Sequence, residues 1–261
     1  MGDMKIKLVV TDLDSTLLRH DKTISAYTAD VFRRMRERGI LLAFATARDY
    51  RFVTEFLMPM NGVEPDVLIA GNGALAQNKD RVLYKRMIPH EIINALKSRF
   101  ESIICVSTED FYYFSGDSSS HHWSIGKKST VLTDCSVSIK NDAYHIEGKA
   151  RSDPKLLIEG YPDLRIVVYS DSNTATVVHH QASKLNALIA VADALNIDKR
   201  EIAVFGDDFS DVEMLMYYDY SVAVANAIDE CKAAAKYACG SNEEDGVACW
   251  IEENVLNRLM K

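Results

Sequence analysis

Short apolar runs alternate with amphipathic stretches along the first part of the chain. Ile6 to Thr11 is a nearly unbroken apolar run rich in β-branched side chains, the pattern of a strand covered on both faces. Ser25 then stands as a candidate cap for a helix with Tyr27, Val31, Phe32 and Met35 on one side, and Gly39 supplies its stop. Ile40 to Ala45 predicts a second buried strand. A helical stretch from about Asp49 to Leu57 is expected to end before Pro59, and Val67 to Ala70 predicts a third strand running into Gly71-Asn72-Gly73. Strand and helix in strict alternation predict an α/β fold, a Rossmann-like doubly wound parallel sheet with right-handed crossovers.

The pattern changes after Gln77. From Val82 to about His179 the segments are shorter, more aromatic and richer in Ser, with alternation over Tyr161 to Tyr169 and a polar loop at Ser115 to Lys128. This predicts an inserted α+β domain. The first pattern then resumes: Ser183 can cap a helix carrying Leu185, Leu188, Ile189, Ala192 and Leu195. A strand at Ile202 to Phe205, a helix from about Ser210 to Tyr217 and a strand at Ser221 to Ala225 follow. A final helix places Val247, Trp250, Ile251, Val255 and Leu259 on its apolar positions. The expected division is a core over 1–81 and 183–261, with the insertion over 82–182.

Composition narrows the function. The 261 residues are 48% hydrophobic and 26% charged, ordinary for a folded globular chain. With 38 Asp+Glu against 30 Lys+Arg the formal charge is −8, which argues against a general affinity for nucleic acid. The 5 cysteines show no C-x-x-C spacing, so neither a disulfide framework nor a zinc site is indicated, and a reducing cytosol fits best. No secretion signal and no bilayer-length apolar run is visible. A cytoplasmic protein is expected, with no membrane partner.

In an open α/β sheet, ligands bind beyond the carboxyl ends of the strands. Those ends carry Asp12 and Asp14, then Thr46, then Asn72, then Gly206-Asp207-Asp208, with Asp211 a turn later. If the strands are neighbours, several carboxylates meet in one small volume, where they must share protons or bind a cation. All-oxygen ligands select a hard ion, with Mg²⁺ the first candidate. Lys184 sits in the first turn of its helix, where the macrodipole mildly disfavours a cation. Facing the acidic cluster, it would offset that charge and, with Thr46, help seat a phosphate.

With those residues in place, the chain resembles a haloacid dehalogenase-like phosphatase, of the Cof-type branch (subfamily IIB) with a large C2-type cap inserted after the third core strand. The family's four motifs occur in order. They are Asp12-Leu13-Asp14-Ser15-Thr16, then Thr46-Ala47-Arg48, then Lys184, then Gly206-Asp207-Asp208-Phe209-Ser210-Asp211-Val212-Glu213-Met214-Leu215. The resemblance implies that Asp12 attacks phosphorus and forms an aspartyl-phosphate, while Asp14 serves as acid and then base. It implies substrate contacts from Thr46, Ala47, Asn72 and Lys184. It also implies a Mg²⁺ site built from Asp12, Asp14, Asp207, Asp208 and Asp211. Ser15, Ala47, Leu185 and Ser210 depart from the family's more usual Gly, Gly, Gly and Asn.

Singly, each feature has a mundane explanation: Asp pairs are common in turns, and Thr46 could be a plain helix cap. Their conjunction at successive strand ends points to a phosphatase acting on a small phosphomonoester, a sugar phosphate or nucleotide-related metabolite. The alternatives are a phosphomutase with the same aspartyl chemistry, or a non-catalytic phospho-accepting sensor. The pairs His121-His122 and His179-His180, with His145, are not expected to form a second metal site, because adjacent strand residues point opposite ways. The oligomeric state is open between a monomer and a small homo-oligomer.

Overall fold

The computed structural model describes residues 5–109, 112–114, 137–170 and 174–257. The loop expected at Ser115 to Lys128, with Trp123 and the pair His121-His122, and the expected helix position Leu259 lie outside the described residues. Five strands of the large sheet precede the insertion: β1 (Leu8–Thr11), β2 (Leu41–Ala45), β3 (Val67–Ala70), β4 (Leu75–Asn78) and β5 (Val82–Lys85). The second sheet is made of β6 (Phe100–Thr108), β7 (Tyr112–Phe114), β8 (Ala143–Ala150), β9 (Leu164–Val167) and β10 (Ala175–His179). The chain then returns to the large sheet with β11 (Ile202–Gly206), β12 (Tyr220–Ala223) and β13 (Tyr237–Ala238).

The large sheet has the order β13-β12-β11-β1-β2-β3-β4-β5, parallel from β13 to β3 and antiparallel at β4 and β5. β1 lies between β2 and β11, with Leu8 opposite both Leu41 and Ile202. The strand ends carrying Asp12, Thr46 and Asp207 therefore meet side by side. The second sheet, β7-β6-β8-β10-β9, is wholly antiparallel. The first four residues of the insertion as expected from sequence, Val82–Lys85, form β5, which pairs with β4 in the large sheet.

The helices follow their caps. Ser25 accepts from the Thr28 amide, and Ala26–Glu37 buries Thr28, Val31, Phe32 and Met35. Tyr27 departs from that face: it is 37% exposed and its hydroxyl donates to Glu252. Gly39, at φ 74°, sits just past the helix end in a left-handed turn. The helix expected to end before Pro59 continues past it, through a π turn at Val53–Leu57 to Met58–Asn61 and a left-handed Gly62. Proline lacks the amide that an α turn would need, and the wider turn ahead of it accommodates the ring. Ser183 caps Lys184–Leu195, whose buried face is Lys184, Ala187, Leu188, Val191 and Ala192. Leu185, Ile189 and Leu195 are only partly buried.

Each sheet has its own apolar core, and a third cluster of Ala74, Leu75, Tyr144, Val167, Val178 and Ala182 joins them. Among the described residues no helix is long and apolar enough to cross a membrane.

Candidate active site

Asp12 follows directly on β1, and its amide continues the ladder by donating to the Phe205 carbonyl at 3.1 Å. The residue is 6% exposed. Lys184 Nζ donates to Asp12 Oδ1 at 2.6 Å and to Asp211 Oδ1 at 2.7 Å, and the lysine itself is 2% exposed. Asp12 Oδ2 makes no hydrogen bond among the described residues. The helix cap explains the lysine's place: Ser183 fixes the first turn and turns Lys184 inward with the apolar face. Gly73 makes room for that turn, since a Cβ there would lie 2.1 Å from the Ser183 carbonyl oxygen.

Asp211 is held from both sides. Its Oδ2 accepts from the amides of Asp207 and Asp208 at 3.2 and 3.3 Å. Gly206 permits this approach, because a Cβ there would fall 2.4 Å from that of Asp211. Asp207 Oδ1 accepts from Thr16 Oγ1 at 2.5 Å. Asp208 turns the other way, with Oδ2 accepting from the Ser170 amide at 3.2 Å beyond β9.

Asp14 occupies a different setting. Arg48 grips it with Nε on Oδ2 at 2.5 Å and Nη2 on Oδ1 at 2.7 Å, and Lys22 Nζ adds 2.7 Å to Oδ1. Burial pushes the Asp14 carboxyl up, but the bonds and charge of Arg48 and then Lys22 outweigh it and hold the group below its ordinary value. Asp12 goes the opposite way: burial, with Asp211 and Asp207, raises it well above the usual range in spite of Lys184. Asp207 is pushed up to about 7 by burial and then by Asp211. Lys184, which burial would discharge, is kept charged by Asp12 and Asp211.

The structure thus gathers Asp12, Asp14, Thr46, Ala47, Lys184, Asp207, Asp208 and Asp211 around one cavity of about 700 Å³, within the range of small-molecule sites. Thr46 Oγ1 accepts from the Arg48 amide at 3.1 Å. Asn72 stands apart from that wall. It is 2% exposed, in left-handed backbone at φ 57°, and its side-chain amide donates to Tyr169 Oη at 2.6 Å. Tyr169, which does line the cavity, interposes itself. Ser15 also has positive φ, 59°, the conformation a glycine adopts freely, and its carbonyl accepts from Asn226 Nδ2 at 2.7 Å.

Sequence reading missed Lys22 and the pairing of Arg48 with Asp14. It also missed Glu147, Tyr169 and Ser170 on the opposite wall, where Tyr112, His145 and Glu147 come from β7 and β8 and Tyr169 and Ser170 follow β9. Besides the Ser170 amide on Asp208, two further bonds among the described residues tie that wall to the floor: Arg51 Nη2 donates to the Thr108 carbonyl at 2.7 Å, and Ser107 Oγ donates to Asp49. Oxygens of Asp12, Asp207 and Asp211 lie within 4.8 Å of one another. The cavity lining carries more carboxylates (Asp12, Asp14, Asp49, Glu147, Asp207, Asp208, Asp211) than cations (Lys22, Arg48, Arg51, Lys184), so a bound metal cation fits the excess of negative charge, and the all-oxygen donor set of Asp12, Asp207 and Asp211 fits a hard one.

Comparison with known proteins adds the family. The chain is 26% identical over 96% of its length to 5-amino-6-(5-phospho-D-ribitylamino)uracil phosphatase YitU of Bacillus subtilis, covering 98% of that protein. It is 24% identical over 99% of its length to the Escherichia coli phosphatase of the same description, YbjI, covering 97% of it. Among solved structures, SMU.1108c from Streptococcus mutans superposes with a TM-score of 0.80 at 22% identity, over 98% of this chain and 100% of that one. The subclass IIB sugar phosphatase BT4131 gives a TM-score of 0.78 at 20% identity, over 95% and 98% of the two chains. The family model for haloacid dehalogenase-like hydrolases matches residues 9–251, and the chain belongs to that family.

Proposed function

We propose that the protein is a phosphatase that hydrolyses a small phosphomonoester through an aspartyl-phosphate on Asp12. One observation carries the reading: a buried carboxylate has one oxygen fixed by Lys184 and the other unbonded among the described residues, beside a cavity at the meeting point of three strand ends. Oδ2 of Asp12 would attack phosphorus in line, and the ester P–O bond would break as the alcohol leaves. Lys184 and Thr46 would hold the equatorial oxygens where charge is spread in phosphoryl transfer. Mg²⁺, held by Asp12, Asp207 and the Asp14 main-chain carbonyl, would neutralise phosphoryl charge and fix the group's orientation. Asp211, with both oxygens committed to Lys184 and two amides, serves to orient the others.

Asp14 has the harder task. Arg48 and Lys22 keep it ionised, which suits the base that takes a proton from the hydrolytic water but not the acid that protonates the leaving alcohol. A phosphate dianion entering the cavity competes for both cations, and their transfer to it would free Asp14 to carry the proton. Residues 82–182 would act as the cap, with the second sheet selecting the leaving group. The relatives' substrates, a phosphoribitylaminouracil and a sugar phosphate, support a polyhydroxylated leaving group. Among the described residues no cysteine forms a disulfide, which suits a reducing cytosol.

The test is phosphate release from an aryl phosphate with Mg²⁺, followed by a panel of sugar and ribityl phosphates. Asp12→Asn should abolish release; full activity in that variant overturns the reading. Turnover without a bisphosphate activator separates it from a phosphomutase.

A further inference from the structure

The second sheet carries a cluster that the phosphatase reading leaves unused. Cys105 on β6 lies opposite Glu147 on β8, and Ser107 lies opposite His145. Side chains two apart on a strand share a face, so Cys105, His145 and Glu147 all look one way, while Val106 and Ile146 between them enter the second sheet's apolar core. An irregularity in the pairing between Ile103 and Cys105 sits at the cluster, the kind of bulge that re-aims a side chain. His145 and Glu147 line the cavity from above.

We propose that Cys105, His145 and Glu147 form a second metal site, for a borderline divalent ion of the Zn²⁺ class. The first support is geometric. Zn–S and Zn–N or Zn–O bonds of roughly 2.3 and 2.0–2.1 Å at tetrahedral angles set ligand atoms about 3.5–3.6 Å apart. Cys105 Sγ stands 3.6 Å from His145 Nε2 and 3.9 Å from Glu147 Oε2. All three ligand atoms lie within 4.8 Å of one another. The trio already sits near coordination distance.

The second support is what surrounds them. His145 is 5% exposed, and its Nδ1 has no hydrogen-bond partner among the described residues. Its Nε2 meets Cys105 Sγ, so the ring already presents a nitrogen to the cluster. Glu147 has no ion-pair partner among the described residues, yet Thr174 Oγ1 donates to its Oε1 at 3.0 Å and leaves Oε2 toward Cys105. Orientation of a ligating carboxylate by a hydroxyl is the usual outer support of a metal site. Thiolate and imidazole select a softer ion than the carboxylates around Asp12 do, so the two centres would not compete for one metal. Cys105 would give up its thiol proton to solvent as the ion binds. Three protein ligands leave a fourth position, which faces the cavity and would accept a hydroxyl or amine of the leaving group.

Cobalt replaces zinc in such sites and reports thiolate ligation by a charge-transfer absorption. Full-length protein stripped by chelator and titrated with Co²⁺ should develop that band, saturating at one equivalent and bleaching on addition of Zn²⁺. Cys105→Ser should remove it. Glu147→Gln, which keeps the side-chain shape, should weaken cobalt binding at least tenfold. Asp12→Asn and Asp207→Asn should keep the band, so its loss or survival is read independently of phosphatase activity. Near-ultraviolet circular dichroism matching the parent shows that a silent variant is folded. The proposal is overturned if folded wild-type protein gives no thiolate band, or if the band persists in Cys105→Ser. A raised KM in Cys105→Ser and Glu147→Gln, with no band in the wild type, would assign the trio to leaving-group recognition and overturn it equally.

Discussion

The two sheets hold their chemistry in different ways. In the parallel sheet the polar groups sit where strands stop: Asp12 after β1, Thr46 after β2, Asp207 after β11. In the antiparallel sheet they sit on a face, spaced by alternation along β6 and β8. A strand end delivers several consecutive residues to one point, so a short local motif is enough to build it. A sheet face draws single residues from distant strands, so its composition depends on register. The floor should therefore govern the chemical step and the opposite wall should govern which substrate is held.

The largest test of that division sets Asp12→Asn against Tyr169→Phe. The first should lower kcat by roughly 10⁴-fold or more, as loss of a catalytic nucleophile does. The second removes one hydrogen bond to Asn72 and should raise KM several-fold with kcat nearly intact, about 1 kcal/mol. Equal losses of kcat in both would collapse the distinction between floor and wall.

Next comes Lys184→Met. It leaves Asp12 and Asp211 buried together without their shared cation, and breaking a buried pair in this manner costs about 3–5 kcal/mol. Chemical denaturation should show that loss, and Lys184→Met combined with Asp211→Asn should recover part of it. No comparable penalty is expected for Arg165→Met, whose partner Glu213 is half exposed.

A pH series sharpens the same contrast. Asp207 is raised to about 7 in the folded protein, against about 4 when unfolded. A carboxyl raised on folding favours the folded state when protonated, so that contribution fades as pH rises between those values. Melting temperature in chelator should fall from pH 5 to pH 8, and Mg²⁺ should restore it most at pH 8. A flat profile would mean that the acidic cluster carries no uncompensated charge. Smallest of all, Ser15→Gly should stabilise by about 0.5–1 kcal/mol by relieving left-handed backbone, with activity preserved.

Much of the floor was legible because it is local. Val9-Val10-Thr11-Asp12 and Val204-Phe205-Gly206-Asp207 each announce a buried strand and the acid that ends it, and Ser183-Lys184 announces a capped helix. What escaped is set by folding at a distance. That Arg48 and Lys22 would close on Asp14 depends on the path of two loops. That Asn72 would face Tyr169 depends on a partner 97 residues away. Cys105 and His145, 40 residues apart, meet only through strand register, so no spacing rule could pair them. The helix through Pro59 and the outward Tyr27 show a related limit: periodicity marks an apolar side but not a π turn or a hydroxyl drawn to Glu252.

Gln181 lies beside both β5 and the chain leaving it: Tyr84 Oη donates to its carbonyl at 2.7 Å, and Arg86 Nε to its side-chain oxygen at 2.7 Å. Departure and return of the insertion are thus a single stitched seam. On the proposed division of the chain, everything between would be exchangeable with the acidic floor left in register, and selectivity would be the replaceable part and reactivity the fixed one.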